Sequence, residues 1–236
     1  MKCYGFIFIV LLTFPRVAFT QTSRDSTFSI MINAGIGFTH ANDPHINKWL
    51  AKYGYPTEPR VPQSLHFELA AIPESSRMLY SVKLSTVISA DNLTSFNILG
   101  GAYYGFIKHR NFMLFAGLEA GYHNDIIALD GNLPVDYQKL ADSVKRQLSL
   151  NRDGLFLEPG LRAFWFPIAL HNVQVGLFGD LGYAMDFNSK WKLGYYNNDH
   201  GRYNHFSKIQ KPSDQQKVSE YGFSYNVGLS VQIHLQ

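Results

Sequence analysis

The sequence predicts an all-β protein: an eight-stranded antiparallel transmembrane up-and-down β-barrel with short periplasmic turns and long extracellular loops. Three observations carry this expectation. Apolar and polar residues alternate with period two through eight segments, and the more apolar face of each contains no Asp, Glu, Lys or Arg. The connections between segments alternate between short and long, the rhythm of barrels that cross a membrane. The chain is 46% hydrophobic and 15% aromatic but only 17% charged, yet its mean hydropathy is −0.12, an average that fine alternation produces. The same numbers exclude a disordered chain, which would be poor in aromatics and rich in charge. They also exclude a helical membrane protein, which needs runs of about 18 apolar residues or more; the longest near-uninterrupted run, Tyr4 to Phe14, is much shorter.

Residues 1–20 read as a signal peptide. Met1-Lys2 supplies the positive start, Tyr4 to Phe14 the apolar stretch, and Pro15 the break, with Ala18-Phe19-Thr20 as the cleavage site before Gln21. Cys3 lies inside this segment, so the mature chain is expected to have no disulfide, redox centre, cysteine metal site or lipid anchor. Removing Lys2 and Arg16 leaves 19 basic against 18 acidic residues, and no basic stripe that would suit nucleic acid. Residues 21–236 are expected to form one barrel domain.

The eight apolar faces run Phe28–Phe38, Leu65–Ala71, Met78–Ile88, Phe96–Phe106, Phe112–Tyr122, Leu155–Trp165, Val173–Met185 and Tyr221–Leu235. The opposite faces carry Glu68, Lys83, Glu119, Glu158, Arg162 and Asp180 among glycines and small polar residues. A soluble β-protein hides its apolar face and puts charge on its exterior. Charge that shares a face with glycine belongs inside a narrow lumen, with the apolar face toward lipid. Eight strands enclose room only for side chains, so these six groups are expected to form a salt-bridge plug; the competing reading is a narrow ion path or proton relay. Inward Phe156, Phe164 and Phe178 are expected to fill the lumen beside Gly117, Gly121, Gly176 and Gly182. The aromatics near strand ends read as interfacial girdles, with Phe38, Phe96, Tyr122, Tyr183, Tyr221 and Phe223 on one side and Phe106, Phe112 and Trp165 on the other.

The links Pro73–Arg77, Ile107–Asn111 and Pro167–His171 are short; of the alternate links, His40–Gln63, His123–Gly154 and Phe187–Glu220 are long and Ser89–Thr94 is not. Within the second long loop, Leu140, Val144 and Leu148 recur every four residues across Asp136–Leu150, which predicts a short amphipathic helix that caps the barrel. Lys48–Tyr53 reads as a similar turn of helix. His40, Asp43 and His45 lie close in sequence, but Pro44 intervenes and no fourth ligand is evident, so no metal site is expected. The last loop is rich in Trp191, Tyr195, Tyr196, His200, Tyr203 and His205, a composition that suits either sugar contact or self-packing near headgroups.

From Phe28 to Gln236 the alternation and loop rhythm resemble the small eight-stranded outer-membrane β-barrel proteins of the Bacteroidota type, in whose exported proteins a first mature Gln is common. The closing strand, Tyr221 to Gln236, is similar to the C-terminal signal read by the outer-membrane assembly machinery, although it ends on Leu235-Gln236 rather than on an aromatic. The resemblance implies a place in the cell outer membrane of a Gram-negative bacterium among its lipids and lipopolysaccharide. It also implies a structural or interaction role, with a protein or glycan partner at the extracellular loops, no cofactor and no enzymatic activity.

A second resemblance is local. His205-Phe206-Ser207, followed by Pro212-Ser213-Asp214 and Glu220, looks like the C-terminal segment of outer-membrane lipid A 3-O-deacylases, which are also eight-stranded barrels. It implies His205 as base, Ser207 as nucleophile and Glu220 as the orienting acid. The sequence departs from that pattern at Lys208, where the family has Asn. It departs again at the acid, which is displaced by one residue so that Ser219 takes its place, and strand parity turns Glu220 inward. A third reading is a soluble periplasmic lipocalin-like barrel, which requires the charge-free faces to point inward.

Overall fold

The computed structural model describes residues 27–39, 44–52, 54–55, 63–88, 93–129, 148–187, 191–197, 202–205 and 221–235. The signal segment lies outside the described residues, as do residues 136–147. The elements are β1 (Phe28–Thr39), α1 (Pro44–Lys52), β2 (Gln63–Pro73), β3 (Met78–Val87), β4 (Leu93–His109), β5 (Phe112–Ala128), β6 (Leu148–Leu170), β7 (Val173–Phe187), β8 (Lys192–Asn197), β9 (Arg202–His205) and β10 (Tyr221–Leu235).

Eight of these strands close a ring. β1 to β7 pair in sequence order, each antiparallel to the next, and β10 joins β7 to β1. The closing ladder runs from Phe28 opposite Leu235 to Thr39 opposite Ser224. Closure leaves no sheet edge in the ring, which lets every backbone N–H and C=O pair within hydrocarbon. Both register shifts lie near the turn end, at Gly105/Ile107 and at Trp165/Ile168. The second spans Pro167, which has no N–H to give to a ladder.

The facing of the strands follows the alternation. Leu155, Leu229 and Phe223, all on the charge-free faces, are 67%, 62% and 60% exposed, while Glu68 and Arg162 are 0% exposed. An apolar belt of this extent requires an apolar surrounding, so the soluble lipocalin-like reading is overturned. Of the expected girdle residues, Phe96, Tyr183 and Phe223 are exposed toward the loop end, and Phe106, Phe112 and Trp165 toward the turn end. Phe38 stacks on Tyr225 at 5.1 Å, and Tyr183 meets Phe223 edge-on at 5.2 Å.

Beyond the ring the sequence reading needs two corrections. Leu148–Leu150, expected to end a helix, open β6 instead. Leu150 lies opposite Ile127 of β5 on one edge and Leu193 of β8 on the other, and pairing on both edges outweighs a local four-residue period. The last long loop is not wholly loop, because β8 and β9 form a hairpin that extends the sheet from the loop end of β6 after its pairing with β7 has ended. At the turn end the lumen has an apolar floor, where Phe164 and Phe178, expected to fill it, pack with Met31, Ile72, Leu79, Met113, Phe115 and Phe166. Phe164 stacks near-parallel on Phe166 at 6.1 Å and meets Phe115 edge-on at 6.0 Å.

Among the described residues, a cap over the loop end comes from the first long loop. α1 begins a little before the expected Lys48–Tyr53 turn, and its Leu50 and the following Tyr55 bury against Leu93, Ile127, Leu129, Leu148, Leu150 and Trp191. The helix stops at Gly54, whose φ of 77° suits glycine. There the N–H of Tyr55 donates to the carbonyl of Leu50 at 2.9 Å. Between cap and floor lie the charged layers.

Candidate functional site

Arg162 is the centre of the lumen. It projects inward from β6 and its five N–H groups meet five acceptors from four other strands. Nε donates to Asp180 Oδ1 at 2.8 Å, and Nη2 to Asp180 Oδ2 at 3.1 Å and to Glu119 Oε1 at 2.9 Å. Nη1 donates to Glu68 Oε1 and to Ser81 Oγ, the latter at 3.4 Å. Asp180 reaches it from the neighbouring β7 and Glu119 from the neighbouring β5, whereas Glu68 and Ser81 come from β2 and β3. The guanidinium also lies 4.3 Å from the centre of the Tyr103 ring.

The other charges of the layer complete the set. Lys83 pairs with Glu119, and Asn33 Nδ2 donates to Glu68 Oε2 at 3.2 Å. Ser224 donates to Glu158, which lies directly opposite Glu119 on the adjacent strand. Like charges in that position repel, and Lys83 and Arg162 on Glu119 offset the repulsion. Gly182 makes room for Glu158, since a Cβ there would sit 2.1 Å from its Oε1. All six inward charges named from the sequence are therefore buried in one layer, with four carboxylates against two bases. This is the expected salt-bridge plug.

A second layer, missed in the sequence, lies toward the loop end. His123 places Nδ1 3.2 Å from Asp125 and Nε2 3.1 Å from Asp186. Arg152 donates to Asp125 through Nε at 3.0 Å and lies 4.7 Å from the centre of the Trp191 ring. Lys192 pairs with Asp153 at 2.9 Å, which fastens the hairpin to β6. Strand parity was the available signal: continued upward, it places His123, Asp125 and Asp186 on the inward faces of β5 and β7.

At the turn end, Ser29, His234 and Glu74 bring together a hydroxyl, an imidazole and a carboxylate. Ser29 Oγ lies 2.9 Å from His234 Nδ1, and Glu74 Oε1 lies 3.5 Å from the same nitrogen. A hydrolytic relay needs the acid on one ring nitrogen and the hydroxyl on the other, so this arrangement positions no general base. Thr27 donates to Glu74 at 2.6 Å, and that bond, ahead of a weaker contact with His234, holds the Glu74 carboxyl below the usual carboxylate range.

The residues of the deacylase-like segment are only partly in view. His205 ends β9, opposite Gly194 on β8; its side chain, Ser207 and Glu220 lie outside the described residues. The same holds for His40 and Asp43 and for the side chain of His45. Among the described residues no cluster of three or more His, Cys, Asp or Glu could hold a metal ion.

No protein-family model matches the sequence, and no curated protein is similar enough to match it. Solved structures do match in fold. A major outer membrane protein from Thermus thermophilus is 11% identical, with a TM-score of 0.55 over 87% of this chain and 99% of that one. Neisserial surface protein A is 10% identical, with a TM-score of 0.43 over 87% of this chain and 96% of that one. The outer membrane protein OprG from Pseudomonas aeruginosa is 9% identical, with a TM-score of 0.45 over 89% of this chain and 98% of that one. Closed ring, apolar exterior and the first of these likenesses agree: the chain has the fold of an outer-membrane β-barrel, built here with eight strands.

Proposed function

We propose that this chain is a non-enzymatic, non-conducting integral protein of the cell outer membrane that acts through its extracellular loops. The observation that carries the reading is the filled lumen. Arg162, Phe115, Phe164 and Phe166 are each 0% exposed at successive levels, and Leu50 closes the loop end in the same way. A lumen closed at these levels offers no passage to ions and no cleft within the described ring for a substrate. What remains accessible is the lipid-facing belt and the loop crown above it.

The belt suits outer-membrane lipids. The loop crown, with its aromatic-rich last loop and the β8–β9 hairpin, suits lipopolysaccharide or a glycan or protein partner. β10 supplies the terminal strand on which the outer-membrane assembly machinery acts, and the leader with Gln21 supports a Bacteroidota-type source. Full-length protein from the membrane fraction is expected to migrate faster on SDS gels unheated than boiled, as a closed barrel does. Recovery in the soluble periplasm, or a single mobility at both temperatures, would sink the reading.

A further inference from the structure

The turn-end half of the lumen has two unlike walls. On β2 to β6 the inward residues are apolar, Ile72, Leu79, Phe115 and Phe166 among them. On β1, β10 and β7 they include Ser29, Asn33, Ser230, Gln232 and Gln174, all buried, beside Met31 and Phe178 of the apolar floor. Along β10 these make a continuous strip: His234 faces Ser29 at the rim, Gln232 faces Gln174 on one side and Met31 on the other, and Ser230 faces Asn33. Asn33 in turn donates to Glu68, so the strip ends on the Arg162 cluster.

Among the described residues, three oxygens of this strip have no hydrogen-bond partner: Asn33 Oδ1, Ser230 Oγ and Gln174 Oε1. Each of the three can accept, and buried acceptors in folded proteins find donors. The nearby protein cations are committed elsewhere, Arg162 through all five N–H groups and Lys83 to Glu119. A donor that satisfies several acceptors in so narrow a space is water, which typically makes two to four such bonds when buried. The Arg162 layer adds a second reason for access. Its four carboxylates exceed its two bases by two negative charges, which protons arriving through water can balance.

We propose that the wall formed by β7, β10 and β1 binds a short file of ordered water. The file leads from Ser29 at the periplasmic rim to the Asn33–Glu68 contact and is the route by which the Arg162 cluster exchanges protons with the periplasm. Traffic from outside is shut off by the apolar cap on Leu50 and Trp191. A proton that enters as hydronium adds to a carboxylate oxygen, leaving water, and departs by the reverse step. The lumen is thus sealed to ions and substrates yet open to protons from one side. This inference concerns the lumen and stands independently of the loop partner.

The test uses the full chain, labelled with nitrogen-15 and refolded in detergent micelles. Water-selective NMR is expected to show cross-peaks from long-lived water to the side-chain amides of Asn33 and Gln174. Their absence in the unmodified protein overturns the proposal without reliance on any variant. Exchange of the Arg162 Nε–H into deuterated water is expected to slow several-fold in Ser230→Val and in Gln174→Leu, and to be unchanged in Leu50→Ala, which loosens the cap. Faster exchange in Leu50→Ala, or no change in either strip variant, places the route elsewhere and overturns it.

Discussion

The His66 imidazole meets the Phe178 ring edge-on, with centroids 5.3 Å apart and planes at 83°. The two residues stand on β2 and β7, and the register line that joins them passes through Gly35 on β1 and Gly228 on β10. Two adjacent glycines leave that stretch of wall without side chains, so the rings can approach across it. A Cβ at Gly228 would lie 2.7 Å from Phe178 Cε1 and 2.2 Å from the Ala34 carbonyl. Gly228→Ala is therefore expected to destabilise the barrel by about 1–3 kcal/mol, the usual cost of overpacking, measured as a lower urea midpoint of refolded protein.

Arg162 holds the lumen layer, and its loss leaves Glu68 and Asp180 without their cation, while Glu119 keeps Lys83. Arg162→Met is expected to cost about 3–5 kcal/mol, as when one partner of a buried pair is removed. Arg162→Lys is expected to recover only part of this, because a point charge cannot reach five acceptors on four strands. Stability of Arg162→Lys equal to that of the unmodified protein in urea unfolding would mean that charge alone, and not the guanidinium fork, fills the site.

The cap depends on Leu50, which is fully buried among side chains from β4, β5 and β6. Leu50→Ala is expected to lower stability by about 2–5 kcal/mol, the range for truncating a buried leucine. Limited proteolysis should then cut near α1 before the ring strands, since α1 packs on the barrel without belonging to its ladder.

Glu74 gives the turn end a pH dependence of definite sign. Its folded carboxyl titrates below the usual range, chiefly through the Thr27 bond. The stability it contributes is present above the ordinary carboxylate pKa and is lost as pH falls through the lower folded value. Because Glu74 is largely solvated, the effect is small. Urea midpoints measured across acid pH should show a slightly shallower decline in Glu74→Gln than in the unmodified protein.

An absence of hydrolase activity is checked at Ser207, the nucleophile that the deacylase-like segment would supply. Lipid A from cells expressing the unmodified protein and Ser207→Ala is expected to have identical acylation by mass spectrometry. A 3-O-deacylated product that disappears in the variant would replace the non-enzymatic reading with a Ser-His-acid hydrolase.

Much of this was legible in the chain because a strand has period two. Once the charge-free side of each segment is known, every side chain has an assigned face, and Glu68, Lys83, Glu119, Glu158, Arg162 and Asp180 all fell inward. Strand ends were less legible. Leu148 to Leu150 carry a helical spacing, and only the neighbours on both edges, remote in sequence, make them strand. The cap that α1 forms was legible only as a turn of helix at Lys48–Tyr53, because the partners that bury Leu50 are remote in sequence.

Sequence alone determined the class of solvent. A charge-free face repeated eight times has no stable exposure to water, so the apolar side had to meet lipid and the charges had to turn inward. Tertiary structure decided which inward groups meet. Arg162 reaches Glu68, 94 residues away, and Glu119, 43 residues away, because closure and strand stagger bring β2, β5 and β6 around one narrow axis. Periodicity fixes the direction of a side chain along its own strand. Only the closed ring fixes what stands across from it.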